Sequence, residues 1–425
     1  MSSSMRFTRH LHLAGLFVVL ALVACGDPTQ PKRVGESAFR QSDSPQGDDN
    51  SVIATVDYRV PHVSSVPANA GQSVELFVRE RVRRDAKSRK VILMVNSRSI
   101  PVVAGYDLNV DHYSWAVSLA RSGFDVFMVD LQGSGLSPRP MMDDPCNVPL
   151  AQRATVPIAS PPCLAARPNY AFQLVTARSD WDELNTVVDY IRNLRNVEKV
   201  SLVGWSHASV RVGPYTVQHP DKVESLFLYA PFYDPAMPAG RLGTGENQIG
   251  PPIDPRTGAP FTLPQPGTPM TLTTRSEFLD RWNPEIHCDR QVDAGIQSSG
   301  WNAIMDNEPD GRTWAAPDGA MRIRTFFLWG WNPTMVSNIS VPTLIIDGEF
   351  DTNVPATMPR LYDDLTGIPQ HKLLFMVACS GHFMVWERQA KVLFHISSEW
   401  LKQGDVDGYT NGKFFVDAEG GIHAQ

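Results

Sequence analysis

The chain has 425 residues, 42% of them apolar and 20% charged, with a formal net charge of −7 and a pI near 5.9. That length and composition allow a large globular core with room for an inserted subdomain, and they exclude a fibrous or wholly disordered chain. The acidic balance, without a basic run, argues against a nucleic-acid partner.

Arg6, Arg9 and His10 form a positive start, and Leu11 to Leu22 is apolar apart from His12. That stretch is short for a membrane span and reads as an export signal over residues 1–24. Leu22-Val23-Ala24-Cys25-Gly26 then puts small residues before a cysteine, which resembles the lipobox of bacterial lipoproteins. That resemblance implies cleavage before Cys25 and a lipid on its thiol, hence a chain anchored in a bacterial cell envelope. A plain secretory signal is the blander alternative. Residues 25–50, rich in Ser, Asp, Gln, Gly and Pro, read as a flexible tether. The 34 prolines predict stiff connections elsewhere.

Thr55 to Val60 and Val74 to Val82 are expected strands, with Val74, Leu76, Val78, Glu80 and Val82 on one face. Val91 to Val95 is continuously apolar and predicts a strand covered on both faces. Asn96-Ser97-Arg98-Ser99-Ile100-Pro101 follows as a strand-end loop. Tyr113 to Ser122 has helical spacing and stops at Gly123; Asp125 to Val129 is the next strand. Asp130-Leu-Gln-Gly133-Ser-Gly135-Leu-Ser137 closes it in a glycine turn, and lacks the third glycine of a nucleotide fingerprint. Pro138 to Ser179 is a Pro-rich excursion, and Trp181, Leu184, Val188 and Ile191 then face one side of a helix with Asp180 as its cap.

Lys199-Val-Ser-Leu-Val-Gly-Trp-Ser-His-Ala208 reads as a buried strand that breaks into a helix at Ser206. Gly204 and Ala208 flank the serine with small side chains, as a tight strand-to-helix turn requires. Val223 to Tyr229 is a further strand. Residues 231–340 lose the strand–helix rhythm and hold Trp282, Trp301, Trp314, Trp329 and Trp331 among Pro, Gly and short helical patches. Arg322 and Arg324 lie there as a solvated face or as contacts for an acidic group. Pro342 to Ile346 is a buried strand, followed by Asp347-Gly-Glu349-Phe-Asp351 and Pro355. Lys372 to Val377 leads to Ala378-Cys379-Ser380-Gly381-His382, a helix over Trp386 to Leu401, and a polar Gly-rich tail over 404–425.

The serine turn, the Asp-x-x-Gly-x-Gly-x-Ser turn at Asp130, the acid loop and the late Gly-His together resemble the α/β-hydrolase family. The resemblance covers roughly residues 51–230 and 341–403. It implies a mostly parallel eight-stranded sheet flanked by helices, interrupted by a helical cap over 231–340. An aromatic-rich cap would enclose an apolar acyl or aryl pocket, or the tryptophans would serve the cap's own core. It further implies a triad of Ser206, Asp351 and His382, with Glu349 and Asp347 as fallbacks for the acid. The oxyanion donors would be the backbone N–H of His207 and of Arg98, with Ser97 as the alternative. This chain has Asn96-Ser97 where the family keeps His-Gly, so the second donor stays open. Asp130 would be scaffold.

The expected activity is hydrolysis of a carboxylic ester, with no metal or organic cofactor and a small-molecule ester or acyl compound as the partner. An aminopeptidase, a carbon–carbon bond hydrolase or a perhydrolase would use the same triad, and a silent binding module is the rival of another kind. Beyond Cys25, an exported chain with Cys146, Cys163, Cys288 and Cys379 predicts two disulfides, Cys146–Cys163 and Cys288–Cys379 being the favoured pairing.

Overall fold

The computed structural model describes residues 52–85, 90–156, 163, 167–242, 249–308 and 310–425. The signal, the tether and Cys25 lie outside the described residues.

Ten strands form one sheet. In chain order they are β1 (Ile53–Val63), β2 (Ser73–Arg83), β3 (Val91–Val95), β4 (Asp125–Asp130), β5 (Val200–Trp205), β6 (Val223–Tyr229), β7 (Thr343–Gly348), β8 (Lys372–Val377), β9 (Gly412–Val416) and β10 (Ile422–Ala424). Across the sheet the order is β1-β2-β4-β3-β5-β6-β7-β8-β9-β10. From β4 to β9 every pairing is parallel, while β1·β2, β2·β4 and β9·β10 are antiparallel. The first eight strands are the expected sheet. The last two lie in the stretch read as a polar tail; Phe414 and Val416 are buried there, which fastens the segment to the edge of β8.

Each central strand feeds two cores. Ile92 and Met94 face one apolar cluster with Trp115, Phe227 and Trp400, while Val91, Leu93 and Val95 face another with Leu184, Val188 and Tyr215. A side-chain period of two, with helices on both faces, turns an unbroken apolar run into a two-sided core. The helices on those faces are α1 (Trp115–Arg121), α2 (Ala177–Arg195), α3 (Ser209–Gln218) and, near the end, Ala390–Gln403. Helix α2 is capped by Thr176, which takes the Ser179 N–H, while Ser179 Oγ takes the Thr176 N–H. The cap is thus Thr176 and not the expected Asp180, which is buried and paired with arginines.

Residues 231–340 do not stand alone over the sheet. Met142, Val148, Leu174 and Val175 of the Pro-rich excursion pack with Met270, Leu272, Trp314 and Ala320 in a third apolar cluster. Val175–Thr176 also pairs with Phe326–Phe327. The covering layer is therefore built from two separate stretches. Trp282, Trp301, Trp314, Trp329 and Trp331 are all buried in packing, for example Trp282 stacked on Phe383 with 4.9 Å between ring centroids. Arg322 and Arg324 are neither solvated nor open to a ligand. Arg322 pairs with Glu308 and, at 2.6 Å, with Asp143, and Arg324 pairs with Asp180 at 2.9 Å, which also takes Arg211 at 2.8 Å.

Beside that cluster Glu183 is fully buried, accepting hydrogen bonds from the backbone and side-chain amides of Gln132 at 2.9 and 2.8 Å. Burial, and then the charge of Asp180, push its carboxyl up from 4.5 to about 7. A carboxyl raised on folding adds stability fully present below its unfolded pKa, and loses it as pH climbs through the folded value. Stability should therefore fall by roughly 3 kcal/mol from this one group between pH 4.5 and 7. Denaturant titrations across that range should show a smaller fall for Glu183→Gln than for the parent; equal slopes would contradict this.

Candidate active site

Strand β5 ends at Trp205, and the chain turns through Ser206–Ala208 into α3. Ser206 has φ of +56°, a strained angle for a residue with a Cβ. The strain is held in place from both sides: Ser209 Oγ and the Phe232 N–H donate to the Ser206 carbonyl at 2.7 and 3.2 Å. A Cβ on Gly204 would come within 2.9 Å of Val212 and 3.3 Å of Ala208, so any side chain there forces its neighbours to shift. His207 opens the first turn, where its N–H has no partner inside the helix. Its ring is stacked on Phe232 at 4.5 Å and tilted against Phe326 at 5.3 Å. Burial, then the charges of Arg98 and Arg211, hold that ring neutral, well below the ordinary histidine value.

His382 follows β8 and Asp351 follows β7. His382 Nδ1 and Asp351 Oδ2 are 2.7 Å apart, so the structure pairs the expected base with the expected acid. Asp351 is aimed by the N–H groups of Asn353 and Val354, which donate to its Oδ1 at 2.8 and 3.3 Å. Asp347 stands beside it, buried and pushed well above the carboxylate range by burial and by the charge of Asp351. Glu349 instead accepts the Cys379 N–H at 3.2 Å. The histidine loop is fastened to the elbow strand: Trp205 Nε1 and Tyr229 Oη donate to the His382 carbonyl at 3.1 and 2.7 Å. Burial disfavours the charged imidazole, but the charge and hydrogen bond of Asp351 outweigh it, helped by Glu285 and Glu387, and raise His382 above its ordinary value.

Glu285 escaped sequence reasoning. It lies in the covering layer, fully buried, and its carboxylate accepts five hydrogen bonds. Oε1 takes Thr352 N–H (2.6 Å), Thr352 Oγ1 (3.0 Å), Asn353 N–H (3.2 Å) and Asn353 Nδ2 (2.7 Å). Oε2 takes the His382 N–H at 2.7 Å. One carboxylate thus ties the acid loop to the histidine loop. Glu387 holds the histidine loop one residue earlier, accepting the Gly381 N–H at 2.9 Å, and takes Trp282 Nε1 at 2.9 Å and Gln291 Nε2 at 3.1 Å from the covering layer. Gly381 itself leaves no room for a side chain, since a Cβ would lie 2.5 Å from Glu285 Oε2. The Cys288–Cys379 disulfide joins the covering layer to the histidine loop, and Cys146–Cys163 closes the Pro-rich excursion. The expected Cys288–Cys379 pair was the only sequence signal that this part of the insertion meets the histidine loop.

The loop after β3 is braced by Arg211 Nη1, which donates to the carbonyls of Asn96 and Ser97 at 2.7 and 2.5 Å. Asn96 Oδ1 accepts the Leu131 N–H at 3.1 Å. Asp130 is scaffold in its contacts, accepting the N–H groups of Val102 (2.9 Å) and Leu136 (3.1 Å).

Residues 104–389, roughly two-thirds of the chain, match the model of the alpha/beta hydrolase fold family, and the chain belongs to that family. No curated protein matches it. Among solved structures it is similar to a thermophilic esterase from Thermogutta terrifontis, with 15% identity, a TM-score of 0.44, and 81% of this chain and 98% of that one covered. A serine hydrolase from the polyaromatic hydrocarbon-degrading bacterium Cycloclasticus zankles gives 12% identity and a TM-score of 0.44 over 83% of this chain and 99% of that one. A predicted hydrolase from Thermoplasma acidophilum gives 13% identity and 0.40 over 82% and 98%. Likenesses of this size say nothing about substrate.

Proposed function

We propose that this hydrolase is an exported enzyme that cleaves a carboxylic ester through an acyl-enzyme on Ser206. The supporting observation is the strained turn at Ser206 on β5, with the paired Asp351 and His382 on the loops after β7 and β8. In this mechanism the Ser206 hydroxyl attacks the ester carbonyl carbon while His382 takes its proton. The carbonyl electrons move onto oxygen, where the His207 and Arg98 N–H groups receive the charge; each such donor is worth about 3 kcal/mol. The C–O bond breaks as His382 returns the proton to the alkoxide. Water then attacks the acyl group, His382 takes a proton from it, and the acid leaves as Ser206 is reprotonated. Asp351 orients the ring and stabilises its charged form.

Two disulfides support export, since such bonds persist in oxidising compartments. Among the described residues no helix is long and apolar enough to cross a membrane. Anchoring through a lipid on Cys25 rests on the sequence alone. An aminopeptidase, a carbon–carbon bond hydrolase and a perhydrolase would use the same residues.

A fluorophosphonate probe should label Ser206, and a p-nitrophenyl ester series should be hydrolysed in preference to aminoacyl anilides. Folded protein that takes no label would support a non-catalytic binding module, and faster anilide cleavage would support a peptidase. Intact mass of the labelled protein isolated from its host tests the anchor: a chain beginning with diacylglyceryl Cys25 is expected, and an unmodified Cys25 removes it.

A further inference from the structure

The buried arginines Arg139, Arg211, Arg322 and Arg324 each pair with a carboxylate. Arg98 does not. Its Nε is sealed from solvent without a hydrogen-bond partner, and among the described residues no carboxylate forms an ion pair with it. Its guanidinium lies over the Phe326 ring, 5.6 Å from the centroid, and Phe326 packs in turn on His207, the residue after Ser206. Arg98 also lines a cleft of about 430 Å³ whose other walls, Arg281 among them, come from the covering layer. Burial, and then the charge of Arg281, push the pKa of Arg98 down. Two acids, Glu277 and Asp280, line the same cleft, but both are exposed, and Glu277 is spent on the Thr274 N–H (2.7 Å) and Oγ1 (3.0 Å).

A half-buried guanidinium carries a desolvation cost that an ion pair normally offsets. Among the described residues no carboxylate supplies that counter-charge, and the cation stands in the loop after β3, over the Phe326 ring that packs on His207. We infer that Arg98 receives a carboxylate carried by the substrate, so that the ester is a half-ester of a dicarboxylic acid. The acyl side is assigned by the proton path. The departing alkoxide must face His382 to be protonated, which leaves the acyl chain on the side of the loop after β3. Arg98 then acts twice, its backbone N–H on the carbonyl oxygen and its side chain on the distal carboxylate. Arg281 adds long-range attraction at the cleft. This inference rests on the ester-hydrolase reading of Ser206.

The test is a specificity ratio: kcat/KM for the mono-p-nitrophenyl ester of glutaric acid over that for neutral p-nitrophenyl valerate, which has the same chain length. The parent enzyme should favour the charged ester about 10- to 100-fold, and Arg98→Met should abolish that preference, with Arg98→Lys between them. Loss of backbone geometry would slow both esters alike and leave the ratio unchanged. A ratio near one in the parent enzyme, or one unchanged in Arg98→Met, overturns the inference while ester hydrolysis stands. Should the methionine variant fail to fold, protection of the parent from the fluorophosphonate by free glutarate, but not by valerate, decides the matter; equal protection by both overturns it. If neither ester is cleaved and no label is taken, the hydrolase reading itself fails, and this one with it.

Discussion

Asparagine in place of Asp351 is expected to lower kcat about 10⁴-fold on a p-nitrophenyl ester with the fold retained. The asparagine oxygen can still accept from the Asn353 and Val354 N–H groups, which donate at 2.8 and 3.3 Å, so the loop has reason to stay in place. What is lost is the negative partner of His382 Nδ1. Without it the imidazole no longer holds its proton on Nδ1, and Nε2 is not kept free to take the serine proton. Ser206→Ala should cost more, on the order of 10⁶-fold, and combining it with Asp351→Asn should cost little beyond the serine change alone. Residues that act as one unit cannot be removed twice. Steady-state kinetics on the single and double variants, with circular dichroism as the folding control, measure this. Losses that multiply, or an asparagine variant that keeps a tenth of the parent rate, would refute the shared proton path.

Glutamine at position 285 should reduce kcat about 10²-fold with KM nearly unchanged. Every partner of the Glu285 carboxylate is a donor: the N–H groups of Thr352, Asn353 and His382, the Thr352 hydroxyl and the Asn353 amide. An amide offers one acceptor oxygen and one NH₂, so glutamine must turn its NH₂ toward a donor on one side. Either the His382 loop or the Asp351 loop then shifts. The charge matters as well, because Glu285 is among the groups that raise His382. A raised base moves the acid limb of kcat/KM to higher pH, so removing this charge should move the limb to lower pH. Aspartate at 285 keeps the charge and should restore the limb more than the rate. A fall in Tm with the limb unmoved would reduce Glu285 to a structural tie.

Much of the frame was legible in the sequence, for a physical reason. Strands such as Val91–Val95, and Leu344–Ile346 within Thr343–Gly348, announce themselves as apolar runs, because a strand covered on both faces has no polar side to show. The turn at Ser206 shows as a serine between small residues, because a Cβ at Gly204 would strike Val212. The tail misled because strands β9 and β10 sit at the sheet edge, where alternating and Gly-rich sequence resembles an exposed segment. The arginines at 322 and 324 misled for a related reason. A charged residue is presumed solvated until its partner is found, and Glu308 and Asp180 come from other elements.

What contiguous sequence determined was the first eight strands of the sheet and the helices on its faces, the strained serine turn, and the residue types gathered at strand ends, since apolar period and turn sterics are set within a few neighbours. What only the folded chain decided was which distant groups meet. Glu285 reaches the backbone of a residue 97 positions away, and Arg324 reaches Asp180 across 144. Such pairs leave no local pattern, because a buried charge is stabilised by whatever packing brings beside it and not by its chain neighbours. That the Arg98 guanidinium has no ion-pair partner among the described residues could be recognised only from the folded chain.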